Sequence, residues 1–300
     1  MRLDDEKQSS NIEDRRGSGG RGGGFGFPRG RGGRGVRIGG KKGGFGIGTI
    51  IIMAIAYFVF GVNPMEMLNG GGTGGSFTQQ APQRQTPQSQ AANDEMKVFV
   101  SKVLHTTETT WDKIFREQGK TYEKPRLVLF SGHVQSACGM AQSAMGPFYC
   151  PGDRKVYIDM SFFRDMKRQL GTSGDFAWAY VIAHEVGHHV QTLLGISAKV
   201  TAARRRVSKV EGNQLSVRME LQADCFAGMW AHNNRKILEA GDIEEGLNAA
   251  NAIGDDRLQR KSGGRVVPES FTHGSSAQRV AWFKRGLNSG KLSECNTFGR

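Results

Sequence analysis

The segment His184-Glu185-Val186-Gly187-His188 closes an apolar run, Phe176 to Ala183, that holds neither Gly nor Pro. That composition predicts a largely buried helix, Phe176 to Leu194, with Asp175 as its N-cap. On a helix, residues i and i+4 share a face, so both imidazoles can reach one Zn²⁺. Glu185 then lies beside the water such a metal would activate. Two histidines and a glutamate buried without partners would each cost on the order of a few kcal/mol, which favours a ligand role over core decoration. Gly187, with no side chain, leaves room for a second helix to approach.

A third ligand is required. A metzincin would place Gly three residues after His188 and His six after, but these positions hold Gln191 and Leu194. The other solution is a carboxylate on a second helix, and Glu220-Leu221-Gln222-Ala223-Asp224 offers two acids one turn apart within a run of helix formers from Val217 to Trp230. Glu220 is expected to ligate zinc. Asp224 is expected to accept the remaining N–H of a ligand histidine and fix its tautomer. An ordinary solvated acidic face is the alternative.

HEVGH followed by ELQAD resembles the gluzincin pattern. With Phe148-Tyr149-Cys150-Pro151-Gly152-Asp153 before it and Phe271-Thr272-His273-Gly274-Ser275-Ser276 after it, the chain from roughly residue 96 to 300 resembles the bacterial putative neutral zinc metallopeptidase family. The resemblance implies zinc held by His184, His188 and Glu220, with Glu185 as catalytic base; the site chemistry itself points to hydrolysis of exported polypeptides. His273 is the candidate donor to the oxyanion, because related gluzincins carry a His followed by an Arg in a similar place; a turn-capping histidine is the competing reading. Arg279 would either order the zinc-ligand helix or bind substrate.

The other histidines carry less. His189 points about 100° around the helix from His188, which suggests a helix-surface or supporting role. His105, His133 and His232 have no partner spacing and read as surface or structural residues. Further helices are expected near Glu95–Arg116, Ser216–Ala231 and Ala277–Leu287. Strand signals are few: Arg126–Phe130, and Asp153–Met160, which reads as a strand that pairs with an extended substrate or as a plain edge strand. The expected fold is α+β, a helix-dominated zincin-like domain over residues 96–300 with a small sheet above the active-site helix. Four cysteines allow three pairings; Cys138 with Cys150 and Cys225 with Cys295 are favoured, and no CxxC spacing supports a second zinc site.

The amino-terminal third reads differently. Residues 45–62 carry no charge and are just long enough to cross a bilayer, so a single transmembrane helix is expected there. Residues 1–44 hold 11 Lys+Arg against 5 Asp+Glu, which predicts a cytoplasmic N-terminus and an exported catalytic domain at the inner membrane, periplasmic or extracellular. This tail reads as disordered and Arg/Gly-rich, and residues 63–95 as a flexible Gly/Gln/Pro/Ser linker. The net charge of +13 is shared between the tail and the rest. Next to a membrane, contact with anionic lipid is favoured over nucleic-acid binding. Arg204-Arg205-Arg206 reads as a solvated face or cleft rim that could favour acidic substrates. The non-enzymatic alternative is an envelope scaffold or adaptor with structural or absent zinc.

Overall fold

Apolar residues at helical spacing set the architecture. In α1 (Pro87–Glu117), Val100, Val103, Leu104, Trp111 and Phe115 form one buried stripe. The structure, a computed structural model, describes residues 1–16, 87–171 and 174–299. After α1 come β2 (Arg126–Phe130), a hairpin of β3 (His133–Ser136) and β4 (Gly139–Gln142), β5 (Phe148–Cys150), β6 (Lys155–Asp159) and the short α2 (Ser161–Asp165). The rest is helical: α3 (Asp175–Leu193), α4 (Ile196–Arg204), α5 (Lys209–Asn233), α6 (Asp242–Ala252), α7 (Asp255–Lys261) and α8 (Ser276–Ser289). This is the expected helix-dominated mixed fold with small sheets.

Alternation along the strands builds two cores. Leu127 and Leu129 of β2, with Val156 and Ile158 of β6, face the helices and join the main core around α1, α3 and α5. Val128, Phe130 and Tyr157 face the other way and are covered by Val134 and Ala141 of the hairpin. A further strand, β1 (Ile12–Asp14), completes the sheet in the order β1-β2-β6-β5, with β5 antiparallel to β6 and the other pairs parallel. The expected strand around Val156 is therefore interior from Lys155 to Tyr157, flanked by β2 and β5, and that stretch is closed to strand addition. Among the described residues the edge strands are β1 and β5, and β5 is the one beside the cleft.

The fourth strand, β1, comes from the segment expected to be a disordered tail. Residues 1–16 instead pack on the domain. The Leu127 amide donates to the Asn11 carbonyl at 2.9 Å and the Arg15 amide to the Leu129 carbonyl at 2.7 Å, while Leu3 is buried. The physical reason is local: the Arg/Gly tract begins only at Gly17, and averaging over 44 residues concealed an ordinary strand sequence ahead of it. Two further boundaries shift. Helix α1 begins at Pro87, inside the expected linker, and the residue capping α3 is Gly174, with Asp175 already in the first turn. The carboxylate of Asp175 is engaged elsewhere, accepting from the Met1 ammonium at 2.8 Å. The charge-free stretch 45–62 lies outside the described residues, and among the described residues no helix is long and apolar enough to cross a membrane. Disulfides join Cys138 to Cys150 and Cys225 to Cys295, the favoured pairing.

Candidate active site

One missing side chain brings the two acid and histidine pairs together. A Cβ on Gly187 would lie 3.1 Å from both the Cα and the carbonyl oxygen of Ala223, so α3 and α5 meet backbone to backbone at this point. That contact sets Glu220 and Asp224 of α5 opposite His188 and His184 of α3. Glu220 Oε2 is 3.2 Å from His184 Nε2, and its Oε1 is 3.4 Å from His188 Nε2. Potential ligand atoms of His184, His188 and Glu220 all lie within 4.8 Å of one another.

The trio fits a tetrahedral zinc. Ligand arms of about 2.0–2.1 Å at tetrahedral angles separate neighbouring donor atoms by roughly 3.3 Å. Glu220 sets one oxygen near each imidazole, Oε2 at 3.2 Å from His184 Nε2 and Oε1 at 3.4 Å from His188 Nε2, both close to that spacing. Glu220 is 2 % exposed, and its Oε1 is buried with no hydrogen-bond partner among the described residues, an acceptor left for a cation.

Each ligand is oriented from behind. His184 Nδ1 donates to Asp224 Oδ1 at 2.8 Å, which leaves Nε2 facing Glu220. Asp224 is itself held by the Arg279 fork, Nε to Oδ2 and an Nη to Oδ1, both at 2.9 Å, and by the Tyr180 hydroxyl at 2.5 Å. His188 Nδ1 pairs with Gln191 Oε1 at 2.9 Å, and the Gln191 amide nitrogen is fixed in turn by the Met219 carbonyl at 2.7 Å. Sequence reasoning placed Asp224 in this role, left Arg279 undecided and missed Tyr180 and Gln191. The signal was available: Tyr180 lies one turn before His184, and Gln191 follows His188 by three positions on the same face.

Charge follows this geometry. Burial opposes a charged His184, but Asp224 and Glu220 outweigh it and lift its pKa to about 9. Burial likewise opposes a charged His188, and Glu220 raises it. Glu220, despite burial, is held well below the ordinary carboxylate range by His188 and His184. Glu185 moves the other way: burial raises its pKa against the pull of the two histidines. The four groups therefore separate into an anionic ligand, two imidazoles and a carboxyl poised to exchange a proton.

His273 reaches the same cleft from the turn before α8. It is 4 % exposed, with Nδ1 3.1 Å from Asp255 Oδ1 and Nε2 buried without a partner among the described residues. Asp255 also accepts the backbone amides of Thr272, His273 and Gly274, so a single carboxylate shapes the turn and aims the ring. Asp255 lifts the His273 pKa against the effect of burial. No spacing rule ties this aspartate to a histidine 18 residues later, and sequence reasoning missed it.

Of the two expected roles for His189, the structure shows the supporting one. It is 1 % exposed, not on the helix surface. Nε2 donates to the Glu123 carbonyl at 2.6 Å, so Nδ1 accepts from the Tyr149 hydroxyl at 3.1 Å. It is a strut between α3 and the sheet. His232 is structural too, with Nδ1 donating to the Leu287 carbonyl at 2.7 Å.

His184, His188, Glu220, Glu185 and His273 line one cavity of about 180 Å³, whose remaining wall is mostly apolar and includes Phe148, Val181, Val200, Met219 and Leu258. Over residues 1–298 the chain matches the family described as "Putative neutral zinc metallopeptidase". The chain belongs to this family. Within it, the chain is 51 % identical to "Uncharacterized protein YpfJ" of Escherichia coli K12, over 100 % of this chain and 99 % of that protein. It is 39 % identical to "Uncharacterized protein Rv2575" of Mycobacterium tuberculosis H37Rv, over 77 % of this chain and 84 % of the relative. No solved structure matches the chain. The match to the zinc metallopeptidase family begins at residue 1, in keeping with a first strand that belongs to the fold.

Proposed function

We propose that this chain is a zinc-dependent endopeptidase acting on polypeptides. The observation that carries the reading is a three-donor set at zinc spacing, with an ionisable carboxyl beside it and a cleft leading to it. Three protein donors among the described residues, rather than the four of a closed structural site, support catalysis over a scaffold role. When bound there, zinc polarises a scissile carbonyl and makes water nucleophilic near neutral pH.

The chain's own residues do the rest. Glu185, its pKa raised by burial, takes the proton of the attacking water and passes it to the leaving amine. His273, aimed by Asp255, presents its Nε2–H to the oxyanion that forms on the carbonyl. Asp224 and Arg279 hold His184, and Gln191 holds His188, so the donor set keeps its geometry through the cycle. The free edge of β5, whose Phe148 and Tyr149 line the cleft, supports binding of an extended substrate main chain.

Residues 45–62 are proposed as the membrane attachment, with the neighbouring Arg/Gly tract contacting anionic lipid. The two disulfides support an exported domain.

The test uses the full-length chain with zinc content and hydrolysis of an unfolded protein measured together. Wild type should bind about one zinc per chain and cleave. Glu185→Gln should keep the metal and lose cleavage, and Glu220→Gln should lose metal affinity. A folded chain that binds no zinc after reconstitution would overturn the reading.

A further inference from the structure

Of the three consecutive arginines 204–206, Arg205 and Arg206 are exposed to solvent and Arg204, half-buried, is the one that lines the active-site cleft. Ser197, Val200, Thr201 and Arg204 lie on one face of α4 and line the cavity across from Met219 and Glu220 of α5. One terminal nitrogen of the Arg204 guanidinium, Nη1, is buried and meets no hydrogen-bond acceptor among the described residues. Burial lowers its pKa with no carboxylate near enough to raise it again. A guanidinium nevertheless stays charged at any physiological pH.

Every other cation in the cleft is answered. Arg279 is saturated by Asp224, His184 and His188 face Glu220, and His273 faces Asp255. Among the described residues, Arg204 is the one cleft cation whose charge no side chain meets. A half-buried guanidinium in a mostly apolar wall is costly unless something pairs with it, and its planar fork matches a carboxylate.

We infer that Arg204 binds a carboxylate of the substrate, carried on an acidic side chain near the scissile bond or on a free C-terminus, and so sets the specificity of this cleft. The inference rests on the peptidase reading and adds to it a substrate class: polypeptides bearing a carboxylate close to the cleaved bond.

The experiment uses the full-length, zinc-loaded chain and three peptide sets. One has an internal Glu or Asp and an amidated C-terminus, one has no acid and a free C-terminus, and one has neither. Wild type should favour one of the carboxylate sets by roughly 10- to 100-fold in kcat/KM over the set with neither, the range for a hydrogen bond to a charged group. Whichever set is favoured identifies the source of the carboxylate. In Arg204→Met and Arg204→Gln this ratio should fall to near one, and Arg204→Glu should shift it towards Lys-bearing peptides. Arg205→Met should leave the ratio as in wild type. Binding of the same peptides to Glu185→Gln, with and without Arg204→Met, is read by fluorescence anisotropy and should show the same preference and the same loss. Equal cleavage of all three sets, or a preference that survives Arg204→Met, overturns the inference and leaves the peptidase reading standing. Zinc-loaded protein that cleaves nothing overturns the peptidase reading, and the anisotropy ratio still decides Arg204.

Discussion

Helix α8 carries Arg279 and abuts α5 through glycine, so the support for His184 depends on two absent methyl groups. A Cβ on Gly286 would lie 1.9 Å from the Cys225 carbonyl oxygen and 2.9 Å from the Met229 nitrogen. On the facing helix, a Cβ on Gly228 would lie 2.1 Å from the Phe283 carbonyl oxygen. These neighbours are backbone atoms and cannot rotate away, so Gly286→Ala must push the helices apart by about 1 Å. Overpacking of this kind costs about 1–3 kcal/mol, here at the upper end, while alanine restores about 1 kcal/mol of helix propensity. The net is a loss of about 2 kcal/mol, or roughly 4–8 °C in Tm for a domain of this size. Gly212 is the internal control. It also sits in α5, but a Cβ there would meet only the Arg204 side chain at 3.7 Å, an ordinary contact. Gly212→Ala should therefore stabilise by up to about 1 kcal/mol. Urea unfolding of both variants with disulfides intact and chelator present measures the difference. Because α8 would carry Arg279 away from Asp224, Gly286→Ala should also weaken zinc binding by about 10–100-fold in a competition titration. A stabilised Gly286→Ala, matching Gly212→Ala, would refute the close backbone contact and the mechanical link to the metal site.

Arg279→Met leaves the fully buried Asp224 with His184 but without its guanidinium counter-charge and should cost about 3 kcal/mol in urea unfolding; an unchanged midpoint would show that the arginine pair contributes nothing. The Cys225–Cys295 bridge closes a separation of 70 residues and Cys138–Cys150 one of 12, so replacing each pair by serine should cost about 4 and about 3 kcal/mol respectively, and the reverse order would count against the loop-entropy account. The Met1 ammonium loses charge preference by burial but gains more from hydrogen bonds to Asp175 and Glu239, reaching a pKa of about 10 from an ordinary 8.0. A folded-state pKa above the unfolded one gives stability that is complete below about pH 8 and lost as pH rises towards 10. Unfolding free energy followed from pH 7 to 10.5 should show that loss, and Asp175→Asn should flatten it.

How much of this was legible follows from the range of each interaction. The metal-ligand helix, its partner acids and the role of Asp224 could be read because i, i+4 spacing fixes relative position within a helix, and Gly187 marked where a second helix could come close. The role of Asp255 and the anchoring of His189 could not be read, since their partners, His273 and the Glu123 carbonyl, are set by tertiary folding. Strand β6 was visible from alternation, but its interior position was not, because β5 is three residues long and β1 comes from a segment more than a hundred residues away. Arg204 was noticed only as one of three arginines. Which of the three enters the cleft depends on the end of α4 and its facing of α5.

The amino-terminal segment changes the argument about topology most. Charge asymmetry around residues 45–62 predicts an N-terminus left in the cytoplasm and a domain carried across. The fold predicts otherwise, since β1 is hydrogen-bonded to β2, Lys155 reaches Glu13 at 2.8 Å, and the Met1 ammonium is held by Asp175, Glu239 and Asp242 beside the first turn of the metal-ligand helix. A single crossing between residues 16 and 87 would pull β1 off the sheet, so the two arrangements exclude each other. The short-range charge rule reads only the flanks of a segment, whereas β1 and its ion pairs belong to the same core as the active-site helix, and the fold is the stronger constraint wherever it forms. Ser10 and Asn288 are both exposed and far apart in sequence. In cells expressing Ser10→Cys or Asn288→Cys, a membrane-impermeant maleimide should label both positions or neither. Labelling of Asn288→Cys alone would restore the single-crossing topology and mean that the first strand is not paired in the cell.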